Sequence, residues 1–348
     1  MFFGSDNTGP AHPQIMQALA EANTGYAAPY GADPLMEEVR TRIRDIFEAP
    51  EAAVYLVATG TAANSLGLAC LCPPTHTVFC TPNAHINVDE CNAPEFYSGG
   101  AKLTLVGEHD KMTPETLRRA VEGEGNRGVH GPQRGPVSIT QATEMGQTYT
   151  VAEITALSAV AREFGLPVQM DGARFANALV AANCTPAEMT WRAGVDVLSF
   201  GGTKNGCIGV EAVILFDPAR AWEFELRRKR AAHLFSKHRY LSAQMAAYLR
   251  DDLWLSSARA ANANMTRLAE GLRPLPEARF RVDPAVNIAF LDLPRRRLRA
   301  LKEAGAVFNV WAGSLEDGPE DEMLLTRLVT DWSLPEAEID RFLSLFAD

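Results

Sequence analysis

Positive charge is in short supply in this sequence: 33 Lys and Arg stand against 43 Asp and Glu, a formal net charge of −10. That balance excludes the broad basic field on which general nucleic-acid binding depends. Long apolar runs are missing too. No stretch approaches the roughly 18 uninterrupted apolar residues of a membrane span. The opening Met1-Phe2-Phe3-Gly4-Ser5-Asp6 has neither the basic start nor the apolar core of a secretory leader. The expectation is therefore a cytoplasmic protein with no membrane and no nucleic-acid partner. Six cysteines (Cys70, Cys72, Cys80, Cys91, Cys184, Cys207) show no C-x-x-C spacing. They read as buried thiols in a reducing compartment, and no metal site is expected. The strand-to-helix turn Thr59-Gly60-Thr61-Ala62-Ala63-Asn64 carries neither G-x-G-x-x-G nor G-x-x-x-x-G-K-[ST], which counts against dinucleotide and nucleoside-triphosphate binding. Repeats and low-complexity tracts are absent. Lysine itself is rare, and that makes each of the six easier to weigh.

What is present is an alternation of apolar strands and helices. Ala53–Ala58, Thr77–Cys80, Lys102–Val106, Pro136–Thr140, Val168–Asp171, Val195–Phe200 and Glu211–Phe216 read as strands, and Thr61–Leu71, Thr113–Val121 and Val151–Phe164 as helices. Thr113 is the expected N-cap, with Pro114 in the first helical position. Apolar runs without strict alternation suit strands buried on both faces. The expected fold is α/β, a mostly parallel sheet covered by helices, with a small C-terminal α+β domain. Glu122–Gly135 reads as a surface loop, and Ala219–Leu272 as one long, charged helical stretch. Strands at Asn287–Leu293, Ala306–Val310 and Leu324–Val329 precede a closing helix at Pro335–Phe346. The natural division is an N-terminal arm at 1–25, a large domain at 26–250 and a small domain at 251–348, consistent with the length.

Three windows carry chemistry. Lys204 follows an apolar strand in Phe200-Gly201-Gly202-Thr203-Lys204-Asn205-Gly206. A lysine at the end of a buried strand is desolvated, which favours Schiff-base chemistry, and glycines let backbone approach a flat ligand. The plain alternative is a strand-end lysine whose amine reaches water. Asp171 ends another such strand in Met170-Asp171-Gly172-Ala173-Arg174, where parallel sheets bind ligands. Opposite a pyridine nitrogen it would keep that nitrogen protonated; otherwise it caps a helix. Thr59-Gly60-Thr61 opens a helix and offers N–H groups to an anion. His85 could stack on a planar ring and move protons, though a lone histidine here is more often a cap.

Together these windows resemble the threonine aldolase branch of the β-eliminating-lyase group, enzymes of the aspartate-aminotransferase-like fold (fold type I) that depend on pyridoxal phosphate (PLP). The resemblance runs from Ser5-Asp6-Asn7 through Tyr30-Gly31-Ala32-Asp33-Pro34 to Arg327-Leu328-Val329-Thr330. Asp89-Glu90-Cys91-Asn92-Ala93-Pro94-Glu95-Phe96 and Arg227-Arg228-Lys229-Arg230 look most like the bacterial low-specificity L-threonine and phenylserine aldolases. The resemblance implies that Lys204 holds PLP covalently and that Asp171 pairs with its ring nitrogen. It implies that His85 stacks on the ring, that Gly60 and Thr61 hold the phosphate, and that Ser5, Arg174 and Arg327 hold the substrate carboxylate. Tyr30 and Arg239 would reach in from a second subunit of a homodimer or homotetramer, Arg239 toward the cofactor and Tyr30 toward the substrate. Two departures stand out. Many relatives have histidine where this chain has Gln169, and many have one near the substrate hydroxyl, where this chain reads Gln141-Ala142-Thr143-Glu144. The base for that hydroxyl is left open between His85 and an ordered water. The implied reaction cleaves the Cα–Cβ bond of L-threonine, L-allo-threonine or phenylserine to glycine and an aldehyde. The rivals are another fold-type-I PLP lyase or aminotransferase acting on a small amino acid, and a PLP-free protein binding a phosphorylated ligand at Thr59–Thr61.

Overall fold

Short apolar runs without polar alternation build the central sheet. The computed structural model describes residues 1–347. In it Ala53–Val57 (β1), His76–Cys80 (β2), Lys102–Leu105 (β3), Gln133–Thr140 (β4), Val168–Gly172 (β5), Val197–Gly201 (β6) and Glu211–Leu215 (β7) lie in the order β1-β7-β6-β5-β4-β2-β3. β6, β5, β4, β2 and β3 pair in parallel, and β7 runs antiparallel to both β1 and β6. Six strands therefore end at one edge of the sheet. β1, β5, β6 and β7 are buried at every position, as strands covered on both faces must be.

Arg279–Phe280 (β8), Ile288–Pro294 (β9), Asn309–Ala312 (β10) and Met323–Val329 (β11) form a second, wholly antiparallel sheet in the order β10-β11-β9-β8. Its core joins Leu291, Leu293 and Leu328 to Leu298 and Phe342 of two helices and to Phe3 of the N-terminal segment. The helix Leu253–Leu272 serves both cores: Trp254 and Ala258 pack into the large one, Met265, Leu268 and Leu272 into the small one. Among the described residues, no helix is long and apolar enough to cross a membrane.

Several expectations change. Ala219–Leu272 is three helices, Ala221–Arg230, Arg239–Leu249 and Leu253–Leu272. Left-handed backbone at Ala232 (φ 63°), Asp251 (φ 52°) and Asp252 (φ 54°) breaks it. The middle helix is not a charged face: Leu241 through Leu249 are all buried. The third edge strand begins at Asn309 rather than Ala306, because Ala306–Phe308 turns in to meet the N-terminal segment, where Val307 accepts from the Phe3 N–H at 2.7 Å. β4 starts at Gln133, inside the expected loop. All six cysteines are free thiols, but Cys91 is exposed and Cys184 half-buried, so burial holds for only four. Cys91 (φ 48°) and Asn92 (φ 60°) turn the chain at the surface between two short helices.

Candidate active site

The edge where the parallel strands end carries a cleft of ≈ 360 Å³, lined among others by Asn7, Thr59, Gly60, Thr61, Asn64, His85, Asp171, Lys204 and Glu211. Sheets of this kind bind ligands there because successive loops diverge.

Lys204 sits half-buried in the short turn Thr203–Asn205 that follows β6. The chain packs so closely there that a side chain at Gly201 or Gly202 would collide with backbone: a Cβ would stand 2.3 Å from the Ala173 oxygen and 2.7 Å from the Val210 oxygen. The turn is fixed from below by Asn205, whose Nδ2 donates to Tyr248 Oη at 2.7 Å and to the Trp254 carbonyl at 2.8 Å. Glu211 caps it, accepting from the Gly202 N–H at 2.8 Å. Burial pushes this carboxyl up to about 7, against the opposing hydrogen bonds from Thr203 and Gly202 and the Lys204 charge.

Asp171 lies on the neighbouring strand and is buried. Its Oδ1 accepts from the Ala173 N–H at 3.0 Å and its Oδ2 from Asn64 Nδ2 at 2.9 Å. The same Asn64 amide donates to Glu90 Oε1, also at 2.9 Å, and Glu90 meets His85 Nδ1 at 2.8 Å. One amide thus joins two carboxylates and, through them, an imidazole. Its orientation is set by Gln169, which donates to Asn64 Oδ1 at 3.1 Å and accepts from Ser138 Oγ at 2.6 Å. The glutamine thus reaches Asp171 through Asn64. The hydrogen bond to Glu90 holds His85 above the usual imidazole value against its burial, helped by the charges of Asp171, Glu144 and Glu90. Burial likewise pushes Glu90 up.

Thr59 caps the helix Gly60–Leu71, accepting from the Ala62 N–H at 3.2 Å. Gly60 and Thr61 follow at the cleft wall, and a side chain at Gly60 would meet only open space. This is the geometry of an anion site at a helix N-terminus.

Arg174 and Arg327 behave differently from each other. Arg174 is buried and its fork is taken up by Asp6, with Nε–Oδ2 at 2.7 Å and Nη2–Oδ1 at 3.0 Å. Burial alone would raise the Asp6 carboxyl. The charges of Arg174 and Lys204 and the hydrogen bonds from Arg174 and Asn287 prevail and hold it below its usual range. Arg327 donates Nη2 to the Gly4 carbonyl at 3.1 Å and lies over the Trp311 ring, 4.7 Å from its centre. Its buried Nε has no partner among the described residues. Burial and the nearby Arg174 charge press its pKa down. Ser5 holds the adjacent turn, its Oγ accepting from the Asn7 N–H at 3.1 Å.

Of the residues singled out in the sequence, Lys204, Asp171, His85, Gly60 and Thr61 line one cleft. Ser5, Arg174, Arg327, Tyr30 and Arg239 do not line it. Tyr30 is exposed on a left-handed turn (φ 60°) beneath Lys229, and Arg239 is tied to the Thr24 and Gly25 carbonyls. Asp6, Asn64, Glu90 and Glu211 were not picked out. A polar residue inside an otherwise apolar helix, as Asn64 is, was the one signal available for any of them.

Comparison with known proteins follows this geometry. The family model described as "Beta-eliminating lyase" matches residues 3–294. The low specificity L-threonine aldolase of Pseudomonas aeruginosa is 41% identical over 312 residues, 89% of each chain. That of a second Pseudomonas strain is 41% identical over 313 residues, 90% of each. The structure of a threonine aldolase from Leishmania major superposes with a TM-score of 0.91 at 26% identity, covering 99% of this chain and 98% of that one. A serine palmitoyltransferase from S. paucimobilis with bound PLP shares the fold alone, with a TM-score of 0.69 at 16% identity over 99% of this chain and 86% of that one.

Proposed function

The chain belongs to the beta-eliminating lyase family, and on that premise we propose that it is a PLP-dependent, low-specificity L-threonine aldolase. It would cleave L-threonine, L-allo-threonine and related β-hydroxy-α-amino acids such as phenylserine to glycine and an aldehyde. The observation that carries this reading is the cleft itself. A lysine amine, a buried carboxylate, an imidazole and a helix N-terminus converge on a space of ≈ 360 Å³. That donor set fits an aldehyde, a pyridine nitrogen, a flat ring and a phosphate. Lys204 would hold the aldehyde carbon, Asp171 the ring nitrogen, His85 the ring face, and Gly60 and Thr61 the phosphate. When bound, PLP supplies a sink for the electron pair left on Cα.

The chain's own residues do the rest. Asp171, braced by Asn64 and the Ala173 N–H, would hold a proton on the ring nitrogen. Arg327 offers its unpartnered Nε to the substrate carboxylate, with Ser5 on the adjacent turn. Arg174, committed to Asp6, contributes charge and at most its remaining Nη1. A carboxylate held at a fixed point sets the rotation about Cα, and so decides which bond of Cα breaks. Tyr30 and Arg239 lie outside the cleft of their own chain, so the reading places them in the cleft of a second copy, in a homodimer or homotetramer. Free thiols suit a reducing compartment, and the reading places the enzyme in the cytoplasm.

The test is product analysis. PLP-loaded protein given L-threonine should release acetaldehyde and glycine in equal amounts. A keto acid or ammonia in their place would support the rival lyase or aminotransferase.

A further inference from the structure

Breaking the Cα–Cβ bond of a β-hydroxy amino acid requires a base for the hydroxyl proton, and the residues already described are poorly suited to supply it. Asp171 spends both oxygens on Asn64 and Ala173, and Asp6 spends both on Arg174 with Asn287. Glu90 accepts from Asn64 and faces His85, and Glu211 is buried against the Gly202 N–H. His85 has its Nδ1 on Glu90, and that bond raises its pKa and so favours the form with no lone pair on Nε2.

Glu144 is different. It lies in the loop that leaves β4, beside β5: Thr140 is the register partner of Asp171, and the Gln141 N–H donates to the Asp171 carbonyl at 2.8 Å. The loop is closed on itself, with the Thr143 N–H on the Gln147 carbonyl at 2.9 Å, and is tied to Asp110, which accepts from the Met145 N–H at 3.2 Å. Glu144 is half-buried, and its carboxylate has no hydrogen-bond or ion-pair partner among the described residues. Its charge bears on His85, Arg174, Arg327 and Asp110. The loop thus holds a half-buried carboxylate, with lone pairs to spare, next to the strand end that carries Asp171.

We propose that Glu144 is the catalytic base that removes the β-hydroxyl proton. This rests on the aldolase reading. The carboxylate oxygen takes the proton, and the O–H electron pair becomes the second bond of the aldehyde carbonyl. The Cα–Cβ bond breaks and its pair stays on Cα, which takes a proton to give glycine. The Glu144 carboxyl then returns its proton to water at the open mouth of the cleft. His85 Nε2–H donates to the same oxygen and steadies it.

The experiment compares wild type, Glu144→Gln and Glu144→Asp on two reactions of PLP-loaded protein: cleavage of L-threonine, and exchange of the glycine α-proton in D₂O, which involves no hydroxyl. Glu144→Gln should lower the cleavage kcat by about 10²- to 10⁴-fold, the range of a general base, and remove the acid limb of its pH profile. Glycine exchange should stay within about twofold of wild type. Glu144→Asp should recover part of the cleavage. In the cofactor-free protein, Glu144→Gln should lower the His85 imidazole pKa followed by NMR, because a raising charge is gone. Undiminished cleavage by Glu144→Gln overturns the proposal. So does equal loss of cleavage and exchange, or an unmoved His85. A wild type that exchanges glycine but cleaves no β-hydroxy amino acid overturns the aldolase reading, and the base assignment with it, before any variant is made.

Discussion

Two charged regions of this molecule are built on opposite terms. Around the cleft, Asp6 and Arg174 form a two-point pair with side chains 0% and 6% exposed, and the buried Asp171, Asn64 and Glu90 form a network that ends on the half-buried His85. On the small domain, Arg296, Arg297 and Arg299 of the helix Arg295–Glu303 face Asp321, Glu277 and Glu320 near the surface. Surface pairs gain little against water and salt. Buried pairs cost several kcal/mol of desolvation per ion, by order of magnitude, and an apolar replacement often does as well for stability. Charge is therefore dispensable where it is plentiful and exposed. It is kept where it is expensive, which marks the cleft as the place where charge serves chemistry.

The contrast can be broken by substitution, and the expected effects descend in order. Lys204→Ala should be the most damaging: turnover falls by orders of magnitude, and the yellow absorbance of PLP-treated protein disappears on dialysis. A colour that survives dialysis would show that Lys204 does not anchor the cofactor. Asp6→Asn comes next. It leaves the Arg174 charge buried without its partner, a loss on the order of 3–5 kcal/mol, measured by denaturant melts. It also carries a pH signature. A carboxyl held below its ordinary value of 3.8 stabilises the fold above that pH, and the contribution fades as pH falls through the lower folded value. The acid-side slope of wild-type stability should flatten in the variant; an unchanged slope would remove Asp6 from the account. Arg299→Ala should do least, costing about 1 kcal/mol or less with kcat and KM unchanged. A larger cost would erase the distinction between the two regions.

Much of the fold was legible because burial on both faces leaves a plain signature. β1, β5 and β7 fall within a residue of the apolar runs that predict them, and β6 within two. Lys204 and Asp171 were legible for a related reason: a charged residue at the end of such a run needs an explanation. The N-terminal prolines were harder to read. The arm expected at 1–25 holds a helix that Pro13 opens behind the His12 side chain, as Pro34 opens the next behind Asp33. Proline in the first turn has no N–H to lose there, so it begins helices as readily as it prevents them. Asp6 with Arg174, 168 residues apart, and Asn64 with Asp171, 107 apart, left no local trace. Their partners are chosen by topology, which brings the strand ends together, and not by spacing.

The Asn64 amide also constrains how such a site can be re-engineered. Because one NH₂ group serves both Asp171 and Glu90, and Gln169 orients it, changes at these positions will not combine additively. A library that randomises Glu90 alone, or Gln169 alone, samples variants in which Asn64 turns away from Asp171 and the damage masks any gain. Varying positions 64, 90 and 169 together while fixing 171 would search whole alternative supports for the same carboxylate.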